Sequence, residues 1–149
     1  MFSFIRTWFN TIITALNAVV TIDLIEITNF INPEHLSDVQ MDYNYLLKLD
    51  ETDMVDDTET QDEDIIKVKI YFWFTTSGKG VAVYTAIIDS YVYALRKYLK
   101  DQSTTALAQK TSGTLRIEEI RGVRCFDLDK YEGDYFVPKI EFELKTRDV

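Results

Sequence analysis

Residues 66–74 constrain the fold of this chain more than any others. Ile66, Val68, Ile70, Phe72 and Phe74 alternate with Lys67, Lys69, Tyr71 and Trp73. A strand turns successive side chains to opposite faces, so five large apolar residues fall on one side. Such a face needs a covering layer, because a lone sheet would leave it in water. The cover follows a few residues later. Tyr84, Ile87, Ile88, Tyr91, Val92, Leu95, Tyr98 and Leu99 recur at spacings of three and four, which predicts a helix over 81–100. Arg96, Lys97 and Lys100 close it, where cations suit the negative end of the helix dipole.

The remaining segments fit the same plan. Ile5, Trp8, Phe9, Ile12, Leu16 and Val19 predict an amphipathic helix over 3–19. Val20, Ile22 and Leu24 alternate with Thr21 and Asp23, which predicts a strand over 20–28. Asn29, Asn32 and Pro33 mark a loop. Met41, Tyr43, Tyr45, Leu47 and Leu49 then share one face, with Asp42, Asn44 and Lys48 on the other, as in a half-buried strand. After a polar stretch at 101–113, two last strands are expected near 114–124 and 135–145, joined through 127–134. In the second, Ile140, Phe142 and Leu144 face in, while Lys139, Glu141, Glu143 and Lys145 face out. The order α-β-β-β-α-β-β defines an α+β fold, a mainly antiparallel sheet with two helices packed on one face. At 149 residues the chain is read as a single domain, 1–149.

Charge is concentrated in one place. Of 25 acids, nine lie between Asp50 and Asp64 with no base among them; the other sixteen are matched by sixteen Lys and Arg. The formal charge of -9 is therefore one local feature, and 50–64 is expected to be an acidic, solvated, flexible loop. Deleting Asp53–Asp62 is accordingly expected to leave the fold intact. No basic block offers a track for nucleic-acid phosphates. Residues 7–22 carry no charge, but Thr7, Asn10, Thr11, Thr14 and Asn17 interrupt them, and the run is shorter than the roughly 20 apolar residues a membrane span needs. A membrane role is not expected. Cys125 is the sole cysteine, so no internal disulfide is possible, which fits a reducing compartment such as the cytosol.

Several patterns that could carry chemistry lack required parts. Thr75-Thr76-Ser77-Gly78-Lys79-Gly80 sits between strand and helix, where a phosphate loop would be. A P-loop needs Gly where Trp73 stands and Ser or Thr where Gly80 stands, so a tight turn is expected instead. The acidic segment has no Gly for the sharp turn of a calcium loop. His35 and Cys125 are too few for a zinc site, and a dyad would need them together in space with an orienting third group; His35 after Pro33-Glu34 is read as a loop residue and Cys125 as strand packing. Carboxylate pairs such as Glu118 with Glu119, or Asp127 with Asp129, are what so acidic a chain presents anyway. No catalytic, cofactor-binding or metal-binding residue is singled out, and the chain is read as a non-enzyme that works by contact. Aromatics reach 13%, and Tyr71 and Trp73, with Lys67 and Lys69, either pack beneath a loop or form a subunit or partner contact.

With this order of elements the chain resembles the phage tail terminator, or tail completion, proteins. The features carrying the resemblance are the helix Phe4–Leu16, the strand Ile66–Phe74, the helix Tyr84–Leu99 and the final strand with Val137-Pro138-Lys139-Ile140-Glu141-Phe142. The resemblance implies a homo-oligomeric ring, usually of six subunits, with no catalytic residues and no cofactor. The ring would sit in the virion at the head-proximal end of the tail tube, after assembly in the host cytoplasm, and meet neck or connector proteins. DNA would pass through its lumen without sequence-specific binding. Asp53, Asp56, Asp57, Glu59 and Asp62 would then line the lumen or dock a basic neighbour. Other readings are a different head–tail connector ring, a small enzyme without a recognisable motif, or an acidic adaptor.

Overall fold

A computed structural model describes residues 2–27, 42–55, 63–102, 111–113 and 115–148. Helix α1 (Phe2–Asn17) buries Ile5, Trp8, Phe9, Ile12, Ile13 and Leu16. It stops at Asn17 for a side-chain reason. The Asn17 amide donates to the Leu24 carbonyl at 3.0 Å and its Oδ1 accepts from the Leu24 N–H at 2.9 Å. This clasp closes 18–23 into a turn. Val19, placed on the apolar face by its spacing, is instead 71% exposed. The strand expected over 20–28 shrinks to β1 (Ile25–Glu26). The Tyr91 hydroxyl takes the place of a ladder partner for Ile22, accepting from its N–H at 3.3 Å and donating to its carbonyl at 2.5 Å.

Strands β2 (Asn44–Val55) and β3 (Glu63–Thr75) form an antiparallel pair, with Tyr45 opposite Phe72, Leu47 opposite Ile70 and Leu49 opposite Val68. Ile66, Val68, Ile70, Phe72 and Phe74 are all fully buried. Helix α2 (Val81–Ile87) runs through a π-helical segment (Ile88–Tyr93) into α3 (Ala94–Gln102), and together they bury Ile87, Tyr91, Val92, Leu95 and Leu99. The chain continues as β4 (Thr111–Ser112), β5 (Leu115–Phe126), β6 (Tyr131–Glu132), β7 (Tyr135–Phe136) and β8 (Lys139–Asp148).

The sheet runs β1-β2-β3-β8-β5-β4, and among the described residues only the β1–β2 pair is parallel. The last strand inserts beside β3, setting Ile140, Phe142 and Leu144 against Ile70, Val68 and Ile66. The two most apolar inward faces thus take the centre, where burial is deepest. The architecture is α+β, as the sequence predicts, with both helical stretches packed on this inward face. Strand β5 shifts register between Ile117 and Glu119 and again between Arg121 and Arg124. At the second shift Gly122 sits at φ 65, a left-handed conformation that a residue without Cβ adopts cheaply.

The acidic segment departs from expectation. Residues 50–55 and 63–64 belong to β2 and β3, with Asp53 opposite Ile65 and Val55 opposite Glu63. The ladder outweighs the poor strand propensity of acids, and the register sets Asp50 opposite Lys67 and Glu63 opposite Arg147. Deleting Asp53–Asp62 would therefore remove paired residues of β2. Asp56, Asp57, Glu59 and Asp62 lie outside the described residues.

Candidate functional site

The face of the sheet opposite the helices is charged and internally compensated. Glu141, 8% exposed, lies among Lys67 at 3.6 Å, Lys69 at 3.7 Å and Arg124 at 3.0 Å. Glu143 meets Arg121 at 3.2 Å. Glu118 gathers Arg116 at 3.0 Å, Arg147 at 3.1 Å and Lys145 at 3.9 Å. The predicted contact residues Lys67 and Lys69 thus face a carboxylate of their own sheet. Cross-strand pairing of opposite charges accounts for the arrangement.

Trp73 and Tyr71 stand at one end of this face. Their rings stack at 5.8 Å. Trp73 is only 2% exposed, packed with Val137 and flanked by Ile27, Leu46 and Tyr135. Of its two expected uses it takes packing; Tyr71 keeps part of its surface. Beside them Lys139 lies 5.4 Å from the Tyr71 ring centre and 5.9 Å from that of Phe126, and donates to Asp127 at 2.8 Å. That hydrogen bond holds the Asp127 carboxyl below its ordinary 3.8. A lowered carboxyl stabilises the fold above its unfolded value, and the contribution fades as pH falls through the lower folded value. Asp127→Asn is expected to cost about 0.5–1 kcal/mol at pH 7 and less as the pH falls below the ordinary carboxyl value, read from urea midpoints at pH 7 and pH 2. An equal loss at both would dismiss the ion pair.

The glycine-containing turn before α2 is a clasp. Lys79 N–H donates to the Thr76 carbonyl at 3.3 Å, with Gly78 at φ 73. The Lys79 ammonium turns back and donates to Asp42 at 2.7 Å, the Thr75 carbonyl at 2.7 Å and the Thr75 hydroxyl at 3.1 Å. Asp42 also accepts from the Thr75 N–H at 3.0 Å. Tyr43 is held between these groups at φ 56, uncommon for a residue with Cβ, and its ring packs 5.3 Å from both Phe74 and Tyr91. Cys125 is half-buried, and burial pushes its thiol up, away from the reactive thiolate. His35 lies outside the described residues. Among the described residues no group of three or more His, Cys, Asp or Glu could hold a metal ion, and no helix is long and apolar enough to cross a membrane.

Sequence reasoning missed a groove of about 420 Å³ in the helical layer. Residues 19–22 and Tyr43 form one wall; Val83, Ala86, Ile87, Ser90, Tyr91 and Ala94 form the other. No Asp, Glu, Lys or Arg lines it. Its two phenols stay neutral well into alkali: burial chiefly pushes both Tyr43 and Tyr91 up, and the charge of Asp42 adds to it. The signal was present as two charge-free runs, 7–22 and 80–88. The first reads as a helix passing into a strand and the second as the start of a helix, and only the fold brings them together.

Compared with known proteins, the chain matches no family model and no curated sequence.

Proposed function

We propose that this chain is a structural assembly subunit that closes into a ring, as the phage tail terminator proteins it resembles do, at the head-proximal end of a tail. One observation carries the reading: the sheet has two long and unlike edges. Strand β1 covers only Asn44 and Tyr45 of β2, and β4 only Leu115 and Arg116 of β5. Beyond those residues neither edge has a strand partner among the described residues. Ring closure needs two different surfaces on each subunit, one to give and one to receive, and opposite sheet edges are such a pair. The two shifts of β5 blunt its edge against indiscriminate pairing. Nine of the chain's 25 acids lie within 50–64 with no base among them, a strongly negative stretch of sequence. Such a stretch suits a lumen through which DNA slides, or a basic neighbour in the neck.

Sedimentation of the purified chain, alone and with isolated tail tubes, tests the reading. The expected result is a closed species of several subunits, either in solution or on the tube ends, visible as rings in electron micrographs. A chain that remains one or two copies at every concentration and ignores tube ends overturns it.

A further inference from the structure

We propose that the ring closes through one continuous antiparallel sheet: the free edge of β2 in one copy pairs with the free edge of β5 in the next. This joint rests on the ring reading and supplies the contact that makes the ring. Strands β2, β3, β8 and β5 pair antiparallel in that order, so their directions alternate and the two edges of the run point opposite ways. A neighbour that keeps its helices on the same side of the sheet therefore presents β2 antiparallel to β5. An odd number of such strands would impose the less stable parallel pairing. Among the described residues, no strand covers 46–55 of β2 or 117–126 of β5 on these edges.

The irregularities of the two edges fit each other. β2 gains an extra residue between Glu51 and Asp53 in its pairing with β3, and β5 gains one between Arg121 and Arg124 in its pairing with β8. With Leu49 opposite Cys125 of the next copy, these irregularities meet. Asp50 to Asp53 then runs against Arg124 to Arg121, with one extra residue on each strand, and the register survives. Faces agree as well. Leu49 lies beside Val68 and Cys125 beside Ile140, both on the helix side; Asp50 lies beside Lys67 and Arg124 beside Glu141, both on the outer face. The backbone is in phase too. The Tyr45 carbonyl accepts from the Ile27 N–H at 2.9 Å on the edge side of β2, so alternation turns the backbone groups of Leu47 and Leu49 to that side. Carried through Leu47–Ile70, Ile70–Ile140 and Ile140–Cys125, the same alternation turns those of Cys125 to the opposite free edge.

Charge selects the same partner. This register sets Asp50 opposite Arg124 and Asp53 opposite Arg121, and puts no like charges opposite each other. Arg121 and Arg124, with side chains 43% and 66% exposed, already meet Glu143 and Glu141 of their own sheet. A guanidinium has donors for a second carboxylate. Pairing β2 with β2 would instead gather Asp50, Glu51 and Asp53 of two copies.

Cys125, the sole cysteine of the chain, makes the joint testable by disulfide trapping. Leu49→Cys supplies its partner. Within one chain the two positions are three strand spacings apart, about 14 Å, twice the ~7 Å across which a disulfide forms. Any bond between them therefore joins two copies. The full chain, alone and with isolated tail tubes, is oxidised with copper–phenanthroline and run on denaturing gels without reductant. Leu49→Cys is expected to give a ladder of three or more linked chains that dithiothreitol collapses. Wild type and Leu49→Cys/Cys125→Ser, with one cysteine each, are expected to stop at two chains at most. Asp50→Cys/Arg124→Cys on a Cys125→Ser background probes the same register from the outer face, and is expected to give the ladder even if Leu49→Cys disturbs packing. Closed rings in micrographs without a ladder from either pair overturn this joint and leave the ring reading standing. A ladder without rings upholds the joint as an open, head-to-tail one and removes the ring. Neither ladder nor rings ends both. Single-cysteine chains that link as completely as the pairs show each edge meeting its own kind, which also overturns the joint.

Discussion

Phe72→Ala is expected to remove about 3–5 kcal/mol of folding stability, the range for emptying a large aromatic from a packed core. Phe72 is fully buried at the middle of the sheet's inward face. Tyr45 lies opposite it on β2, and its ring stacks on that of Phe74 at 6.2 Å. Residues from α1, α2, α3 and β8 join the same core, so no single neighbour can move in to fill the space. A domain of this size has about 5–15 kcal/mol in total, so the variant would be barely folded at 37 °C. Urea unfolding at 25 °C reads the effect as a midpoint shift at unchanged slope. A loss under about 1.5 kcal/mol would mean that the helices do not press on this face. Ile66→Val, at the same depth but deleting one methyl group, provides the scale with an expected loss of about 0.5–1.5 kcal/mol.

The residues that make this prediction possible are those the sequence exposes most clearly. In β3 and β8, hydrophobic alternation agrees with β-branched and aromatic content; β3 falls where expected, whereas the strand expected near 135–145 divides at Val137-Pro138 into β7 (Tyr135–Phe136) and β8 (Lys139–Asp148). The second helix is legible for the same reason: its apolar residues keep spacings of three and four from Tyr84 to Leu99. That unbroken spacing is also why the π segment at Ile88–Tyr93 is invisible in the pattern. Other features depend on contacts distant in sequence. Val19 continues a helical stripe, yet the Asn17 clasp on Leu24 ends the helix two residues before it. Acids at 50–55 read as loop, yet pairing with β3 carries them into the sheet. The candidate site suffers most. Lys67 and Lys69 look free until Glu141 is brought across from β8, and the groove exists only because two neutral runs about sixty residues apart come to lie side by side.

Trp73 decides between the two uses the sequence leaves open, because packing and partner contact predict opposite outcomes for the same substitution. A residue kept for a partner can be truncated without harm to the isolated chain. A residue that packs costs the fold its burial. Trp73 is 2% exposed on the side of the sheet away from the helices, stacked on Tyr71 and covered by Val137, Leu46, Ile27 and Tyr135. Trp73→Ala is therefore expected to cost about 3–5 kcal/mol, close to the loss at Phe72 although the two side chains point to opposite faces. Trp73→Phe, which keeps a ring to stack on Tyr71, is expected to recover more than half of that. Tyr71→Ala, at a half-buried position, is expected to cost less than Trp73→Ala. Urea midpoints for the three variants, with the assembly mass recorded beside them, separate the alternatives. If Trp73→Ala unfolds with the wild-type midpoint yet no longer assembles, Trp73 belongs to a partner and the small apolar cluster around it is not a second core.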